Sequence, residues 1–105
     1  MKLTVTAEDI EAGIAACLAG GKRSQVCAVA QAFARYGIAH QGIGGRAWTD
    51  TNGHDHTNPA ALRKFIYAFD DFLAGRHPGS DVPGAEKPEP HTFKVPDSWL
   101  RQEPA

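Results

Sequence analysis

Residues 59–73 constrain the fold most, because their apolar side chains recur at the spacing of an α-helix. Asn58 precedes the stretch as a candidate N-cap, and a proline at the first helical position costs nothing since its missing N–H has no partner there. At about 100° per residue the apolar positions fall within an arc of about 120°. These positions are Leu62, Phe65, Ile66, Phe69, Phe72 and Leu73. The pattern predicts one helix, closed by Gly75, whose apolar face packs against a core.

The outer face of this helix is the first candidate site, because Tyr67 lies there among charged residues. Exposed aromatic and arginine side chains are the usual anchors of protein interfaces. The predicted partner-binding residues are Arg63, Lys64, Tyr67, Asp71, Trp48 and Arg46. For Trp48, and for Trp99 near the end of the chain, the alternative is that both rings complete a small core.

The acid pair Asp70-Asp71 is the candidate for acid–base catalysis in this helix. Neighbouring helical residues point about 100° apart, so two such carboxylates do not readily share one substrate. Catalytic triads assemble in space, and their spacing in the chain does not reveal them. We therefore expect a non-enzymatic protein without catalytic residues and without a cofactor.

The first part of the chain predicts a strand and two helices. Residues 2–5 alternate polar and apolar side chains, as in a half-buried strand. Thr6 and Asp9 then form a variant of the capping-box signature at the start of a helix over 7–19. A second apolar stripe predicts a helix over 24–36.

The two cysteines, Cys17 and Cys27, both fall within helical patterns. In a reducing compartment such residues usually act as small buried hydrophobes, and we predict that role. A disulfide or a reactive thiol is the alternative, although neither a CxxC motif nor a partnered histidine spacing accompanies them.

Residues 38–57 lose the helical pattern and contain repeated turn formers. Asn52-Gly53 is a strong signal for a two-residue hairpin loop, so strands are expected on both sides of it. The predicted strands lie near 38–41, 46–51 and 54–57. The run Gly42 to Arg46 is glycine-rich like a phosphate loop, but a strand rather than a helix follows, so we predict a bend or a bulge.

His54 and His56 are the weak candidates for a metal site, with Asp50 and His40 near them in the sequence. Histidines two residues apart in a strand face the same way. A zinc site needs three or four ligands, and a polar hairpin end explains the same residues without metal. We predict no metal site, and a metal-dependent enzyme centred on His54 and His56 is the weaker functional alternative.

Residues 76–90 are rich in proline and glycine, which predicts an extended loop. Residues 91–95 alternate well enough for a closing strand, and 101–105 are expected to fray. A chain of 105 residues fits a single domain over 1–105. The predicted fold class is α+β, with three helices packed on a small, mainly antiparallel sheet. The expected order is strand, helix, helix, two or three strands, helix, strand.

The charge balance limits the classes of partner. Eleven Lys and Arg against twelve Asp and Glu give a net charge of -1, so no global field attracts nucleic acid. No apolar run approaches the roughly 18 residues that span a bilayer, and residues 1–4 lack the apolar run of a signal peptide. We expect a cytoplasmic protein that binds a protein partner, and neither nucleic acid nor a membrane. A homodimer is also consistent with this composition.

Four short motifs then carry a family resemblance: VTAEDI at 5–10, CAVAQAF at 27–33, FIYAFD at 65–70, and Pro90 with FKVP at 93–96. The chain resembles a group of small phage and prophage proteins that carry T-x-x-x-I, C-P-V-A-x-A, F-I-x-x-F-D and P-F-x-F-x-L-P in this order. Ala28 stands where that group has proline, and the segment between Asp70 and Pro90 is longer. The resemblance implies an α+β domain and core positions at Cys27, Val29, Phe65, Ile66 and Phe69. It implies no catalytic residues.

The resemblance also implies a function in phage biology. Small phage proteins of this kind are often inhibitors of bacterial defence, and the expected activity is an anti-CRISPR one, blocking a subunit of a type I interference complex in the host bacterial cell. The alternative is a small prophage regulator or DNA-binding accessory protein, for which a gel shift would show a steep loss of affinity with salt.

Overall fold

The computed structural model describes residues 1–76 and 85–100 of the chain. It has an α+β fold in which helices pack with two small antiparallel sheets, so the predicted fold class is confirmed. In chain order the elements are β1 (Lys2–Val5), α1 (Ala7–Leu18), α2 (Arg23–Val26), α3 (Ala28–Tyr36), β2 (Gly42–Ile43), β3 (Ala47–Thr49), β4 (Asp55–Thr57), α4 (Ala60–Ala74) and β5 (His91–Lys94), followed by a 3₁₀ turn at Asp97–Leu100.

The strands divide between two sheets instead of forming the single expected one. In the first sheet β1 pairs with β5, and Leu3 lies opposite Phe93. In the second sheet β3 lies between β2 and β4, and Trp48 lies opposite His56. The second sheet forms from neighbouring segments, whereas the first joins segments far apart in the chain.

The turn between β3 and β4 is wider than the predicted two-residue hairpin loop. The strands end at Thr49 and resume at Asp55, and Gly53 adopts the left-handed conformation with φ of 84°. The Asp50 N–H donates to the His54 carbonyl oxygen at 2.9 Å, and the Gly53 N–H donates to the Asp50 carbonyl oxygen at 3.1 Å. The Asn-Gly signal is therefore correct about the chain reversal and wrong about its loop length.

The predicted capping of α1 is confirmed. The Thr6 hydroxyl accepts the Asp9 N–H at 3.1 Å, and the Asp9 carboxylate accepts the Thr6 N–H at 2.9 Å. The Asp9 carboxylate also binds the guanidinium of Arg35 in α3, with Nη2 to Oδ2 at 2.6 Å. One acidic residue thus caps α1 and joins it to the end of α3.

The predicted helix over 24–36 is in fact two helices, α2 and α3, separated at Cys27. Cys27 has extended backbone, with φ of −62° and ψ of 174°. Gly13 of α1 lies against this break, since a Cβ at Gly13 would be 2.5 Å from the Ala28 nitrogen. Ala28, the residue after the break, is fully buried. It occupies the first position of α3, where proline is favoured in helices generally.

Helix α4 matches the predicted helix closely, since all six apolar positions of its inner face are buried. Its N-terminus differs from the expectation. The helix begins at Ala60 with Pro59 as its N-cap, and no side chain caps it. Asn58, the predicted cap, is 3% exposed, and its side chain donates to the carbonyl oxygens of Gly44 and Gly45 instead of capping the helix.

The two tryptophans complete the core, which was the alternative for both. Trp48 is 0% exposed and Trp99 is 2% exposed. Their rings meet at a centroid distance of 5.4 Å, and each contacts the ring of Phe33 in α3. The second sheet, α3 and the 3₁₀ turn therefore meet at one cluster of aromatic rings in the core.

Of the predicted loop over 76–90, the structure describes position 76 and residues 85–90, and none of these seven residues lies in a helix or a strand. Residues 77–84, and the tail over 101–105 that was expected to fray, lie outside the described residues. Within the two described ranges, no helix combines the length and the apolar character needed to cross a membrane.

Candidate protein-interaction surface

The most distinctive surface residue is Tyr67, which lies on the outer face of α4. Its side chain is 47% exposed, a high value for a large aromatic ring. One side of the ring lies against Gly45 in the bend between β2 and β3. A Cβ at Gly45 would be 2.4 Å from Cε1 of Tyr67 and 2.8 Å from its hydroxyl oxygen. Only glycine leaves room for the ring in this position.

Asn58 holds the bend on which the ring rests. Its side-chain Nδ2 donates to the carbonyl oxygens of Gly44 at 2.9 Å and Gly45 at 3.0 Å. Its backbone N–H donates to the carbonyl oxygen of Arg46 at 2.8 Å. Three hydrogen bonds from one buried residue therefore fix three successive peptide groups, and the platform under Tyr67 is well defined.

Charged residues surround the ring along α4. Arg63, Tyr67 and Asp71 are spaced by four residues, so they follow one another along the same face of the helix. Lys64 and Asp71 are exposed, and Arg63 is half-buried. Arg46 is exposed and follows the glycine that contacts Tyr67. We call Arg46, Arg63, Lys64, Tyr67 and Asp71 the α4 surface.

The sixth predicted contact residue, Trp48, does not belong to the α4 surface. Its side chain is completely buried, so it cannot touch a partner directly, and that part of the prediction is wrong. Side chains alternate between the two faces of a strand, and Trp48 takes the core-facing position in β3 between half-buried neighbours. Its flat face stacks on the His56 ring at a centroid distance of 4.3 Å.

His54, His56 and Asp50 lie together at the end of the second sheet. The Oδ2 atom of Asp50 is 2.8 Å from Nε2 of His56 and 3.9 Å from Nδ1 of His54. Its Oδ1 atom accepts the N–H groups of Asn52 at 2.9 Å and His54 at 3.0 Å. The hydrogen bond with His56 is the main reason that the pKa of Asp50 lies below its ordinary value. These contacts close the turn.

His40 lies elsewhere, with its ring edge-on to Phe33 at a centroid distance of 5.8 Å. Across residues 1–76 and 85–100, no three or more His, Cys, Asp or Glu side chains are arranged to hold a metal ion. The residues that looked like metal ligands in the sequence therefore have other structural partners: Asp50 closes the turn, His56 stacks on Trp48, and His40 contacts Phe33. His54 is exposed, and its Nδ1 lies 3.9 Å from Oδ2 of Asp50.

Cys17 and Cys27 are both buried and both carry free thiols. Burial raises the pKa of the Cys17 thiol and raises that of Cys27 to about 11. Nucleophilic attack needs the thiolate, so neither environment favours a reactive thiol. This agrees with the predicted role of small core residues.

The carboxylates of Asp70 and Asp71 diverge, as expected for helix neighbours. Asp70 turns to the flank of α4 and forms an ion pair with Arg23 of α2 at 3.1 Å, while Asp71 is exposed. Burial raises the pKa of Asp70 above its ordinary value. The pair therefore joins α2 to α4 through one carboxylate and presents the other on the α4 surface.

Two residues of this region were missed by the sequence reasoning, Gly45 and Asn58 in its tertiary role. The adjacent glycines before β3 were a usable signal, since a glycine next to a strand often marks the close approach of another group to the backbone.

No protein-family model, curated protein or solved structure matches this chain significantly.

Proposed function

We propose that this chain acts without catalysis, by binding a protein partner through the α4 surface. On its resemblance to small phage and prophage proteins, the proposed partner is a subunit of a bacterial defence complex. The specific proposal is an anti-CRISPR protein that sterically blocks a subunit of a type I interference complex.

The observation that carries the binding proposal is the half-exposed Tyr67 ring held against Gly45. A tyrosine offers a large apolar face and a hydrogen-bonding hydroxyl, and it loses little conformational entropy on binding. Here part of that entropy is already lost, because the glycine bend supports one side of the ring. Preorganisation of this kind lowers the free-energy cost of association.

The charges around the ring support a contact with a protein surface of mixed polarity. Arg63 and Arg46 offer planar guanidinium groups that can bind carboxylates through two hydrogen bonds. Lys64 adds a third positive charge and Asp71 a negative one. A partner with acidic groups around an apolar slot for Tyr67 would match this pattern.

Affinity capture tests the proposal. The tagged chain is expressed in bacteria that carry a type I interference complex, and retained subunits are identified after washing. Tyr67→Ala should weaken the interaction by roughly tenfold to a hundredfold, as expected for an anchoring aromatic residue. Phage plating in the same cells should rise with the unmodified chain and fall again with the variant.

Leu18→Ala provides the matched control, because Leu18 is similarly exposed at 45% but lies on α1, outside the α4 surface. It should retain the partner as well as the unmodified chain does. If no subunit of the complex is retained and phage plating does not change, the inhibitor proposal is wrong. If a subunit is retained equally by Tyr67→Ala, binding occurs through another surface.

A further inference from the structure

Strand β5 has one paired edge and one open edge. Met1 and Val95 exchange two backbone hydrogen bonds, from Met1 N to Val95 O at 2.8 Å and from Val95 N to Met1 O at 3.0 Å. In an antiparallel ladder such pairs alternate with pairs whose backbone groups point away from each other. By this alternation, Thr92 and Lys94 direct their N–H and C=O groups away from β1.

On the outer edge of β1, side chains bind the backbone groups that point away from β5. The Thr4 N–H donates to the hydroxyl of Tyr36 at 2.9 Å, and the Thr4 carbonyl oxygen accepts Nη2 of Arg35 at 2.7 Å. The outward backbone groups of Thr92 and Lys94 have no such partner among the described residues. Both residues are exposed, so this edge of the first sheet is accessible.

Prolines limit what can pair with this edge. Pro90 and Pro96 lie at the same alternating positions as Thr92 and Lys94, but they have no N–H to donate. The open edge therefore offers two complete residues for pairing, between two blocked positions. An open-ended or shifted association of strands is disfavoured, whereas one short register remains available.

We infer that this edge pairs with β5 of a second copy of the chain, antiparallel, about a twofold axis at Phe93. In this register Thr92 of each copy lies opposite Lys94 of the other, and the two pairs form four backbone hydrogen bonds. A register centred on Lys94 would place two lysines opposite each other, and one centred on Thr92 would pair Lys94 with Pro90. The register at Phe93 is the symmetric one that avoids both faults.

Pairing would join the two-stranded sheets into one four-stranded sheet, β1-β5-β5-β1. Two strands alone are marginally stable in water, so each copy gains from the addition. The interface is small, so we expect a weak, concentration-dependent dimer that is independent of the α4 surface.

Sedimentation measurements on the full chain test this inference across protein concentrations from about 10 µM to about 1 mM. The unmodified chain should shift from the monomer mass towards the dimer mass. Thr92→Pro should stay monomeric, because it removes an N–H that points away from β1 and leaves the ladder of the first sheet intact. Thr92→Val is the matched control, since it loses the hydroxyl that contacts Thr4 but keeps the N–H.

Amide hydrogen exchange of the unmodified chain gives a second measurement that needs no variant. The Thr92 and Lys94 amides should exchange roughly tenfold more slowly at the highest concentration than at the lowest, while exposed amides elsewhere should not change. A monomer mass at every concentration overturns the inference, as does exchange at Thr92 and Lys94 that is independent of concentration. Undiminished dimerisation of Thr92→Pro would also overturn it, by locating the dimer interface elsewhere.

Discussion

The ring of Tyr67 lies so close to Gly45 that a Cβ at position 45 would fall 2.4 Å from the ring carbon Cε1. This contact joins the outer face of α4 to the bend between β2 and β3. It supports one side of a ring that is otherwise half in solvent. A substitution at Gly45 therefore tests the packing of the Tyr67 ring without removing the ring itself.

Gly45→Ala should displace the Tyr67 ring but destabilise the fold by no more than about 1 kcal/mol, because the new Cβ meets the far end of a half-exposed side chain that can turn away. In a Tyr67→Ala background the same substitution should cost less still, because the displaced ring is gone. Chemical denaturation of the four proteins in this cycle measures the coupling. Gly42→Ala is the control, since its Cβ would meet Ser24 at an ordinary 3.6 Å. Equal costs of Gly45→Ala in both backgrounds would contradict the contact.

Asn58→Ala should destabilise the fold by about 2 to 4 kcal/mol, because the carbonyl groups of Gly44 and Gly45 lose their donor. Asn58→Asp should cost more at neutral pH, since a carboxylate would face those same carbonyl oxygens. Urea denaturation at pH 7 measures both. If Asn58 acted only as a helix cap, Asn58→Asp would be tolerated, because aspartate caps helices as well as asparagine does.

Local patterns were sufficient wherever one segment determines its own structure. The stripe of α4 predicts its buried face from Leu62 to Leu73, and the Thr6 and Asp9 capping box predicts the start of α1. Both depend on residues within a few positions of each other. The Asn52-Gly53 reversal belongs to the same class, although the contacts of Asp50 widen its loop.

The remaining features depend on contacts between distant segments. The break at Cys27 packs against Gly13 of α1, and the pairing of β1 with β5 joins the two ends of the described chain. Asn58 carries the same sequence signal whether it caps a helix or holds a distant bend. The inward position of Trp48 depends on which side of β3 meets the core. No local pattern distinguishes these outcomes.

Gly13→Ala tests the close approach of α1 to the break at Cys27. Alanine would favour the helix by about 1 kcal/mol over glycine if the site were open. Its Cβ would instead lie 2.5 Å from the Ala28 nitrogen and 2.8 Å from the Cys27 carbonyl carbon. Because backbone atoms cannot move aside easily, we expect a net loss of about 1 to 3 kcal/mol in thermal or chemical denaturation. A higher melting temperature for the variant would show that the approach is looser than described.

The Asp9–Arg35 pair predicts a dependence of stability on acid pH. Burial alone would raise the pKa of Asp9, but the hydrogen bonds from Arg35 and Thr6 and the charge of Arg35 together hold it below its ordinary value. A carboxyl group with a lowered pKa in the folded state stabilises the fold above its unfolded pKa. That stabilisation is lost as the pH falls through the folded pKa.

The free energy of unfolding should therefore decrease below about pH 4, where unfolded aspartate begins to bind protons. Asp9→Asn should flatten this part of the profile and lower stability at neutral pH. Glu89→Gln is the matched control, because Glu89 is exposed outside the helices and should leave the profile nearly unchanged. Identical acid profiles for Asp9→Asn and the unmodified chain would show that the Asp9–Arg35 pair does not contribute to the pH dependence of stability.

The buried thiol of Cys27 predicts a loss of folding stability at alkaline pH. Burial raises the pKa of its thiol from the ordinary 9.0 to about 11. The folded state therefore holds the proton more tightly than the unfolded state does. The corresponding stability is fully present below pH 9.0 and is lost as the pH rises towards about 11. A shift of this size corresponds to about 3 kcal/mol at the alkaline limit.

Cys27→Ala should therefore lose less stability than the unmodified chain between pH 9 and about pH 11, although its stability at pH 7 is lower because a buried side chain has been truncated. Denaturation at a series of pH values isolates this difference, and other alkaline titrations cancel because both proteins share them. Thiol labelling at pH 8 gives an independent check: the folded chain should react far more slowly at Cys27 than the unfolded chain, since the thiolate is scarce and buried. Rapid labelling of folded Cys27 would mean that the helix break opens readily, and the close contact of Gly13 with Ala28 would then have to be transient.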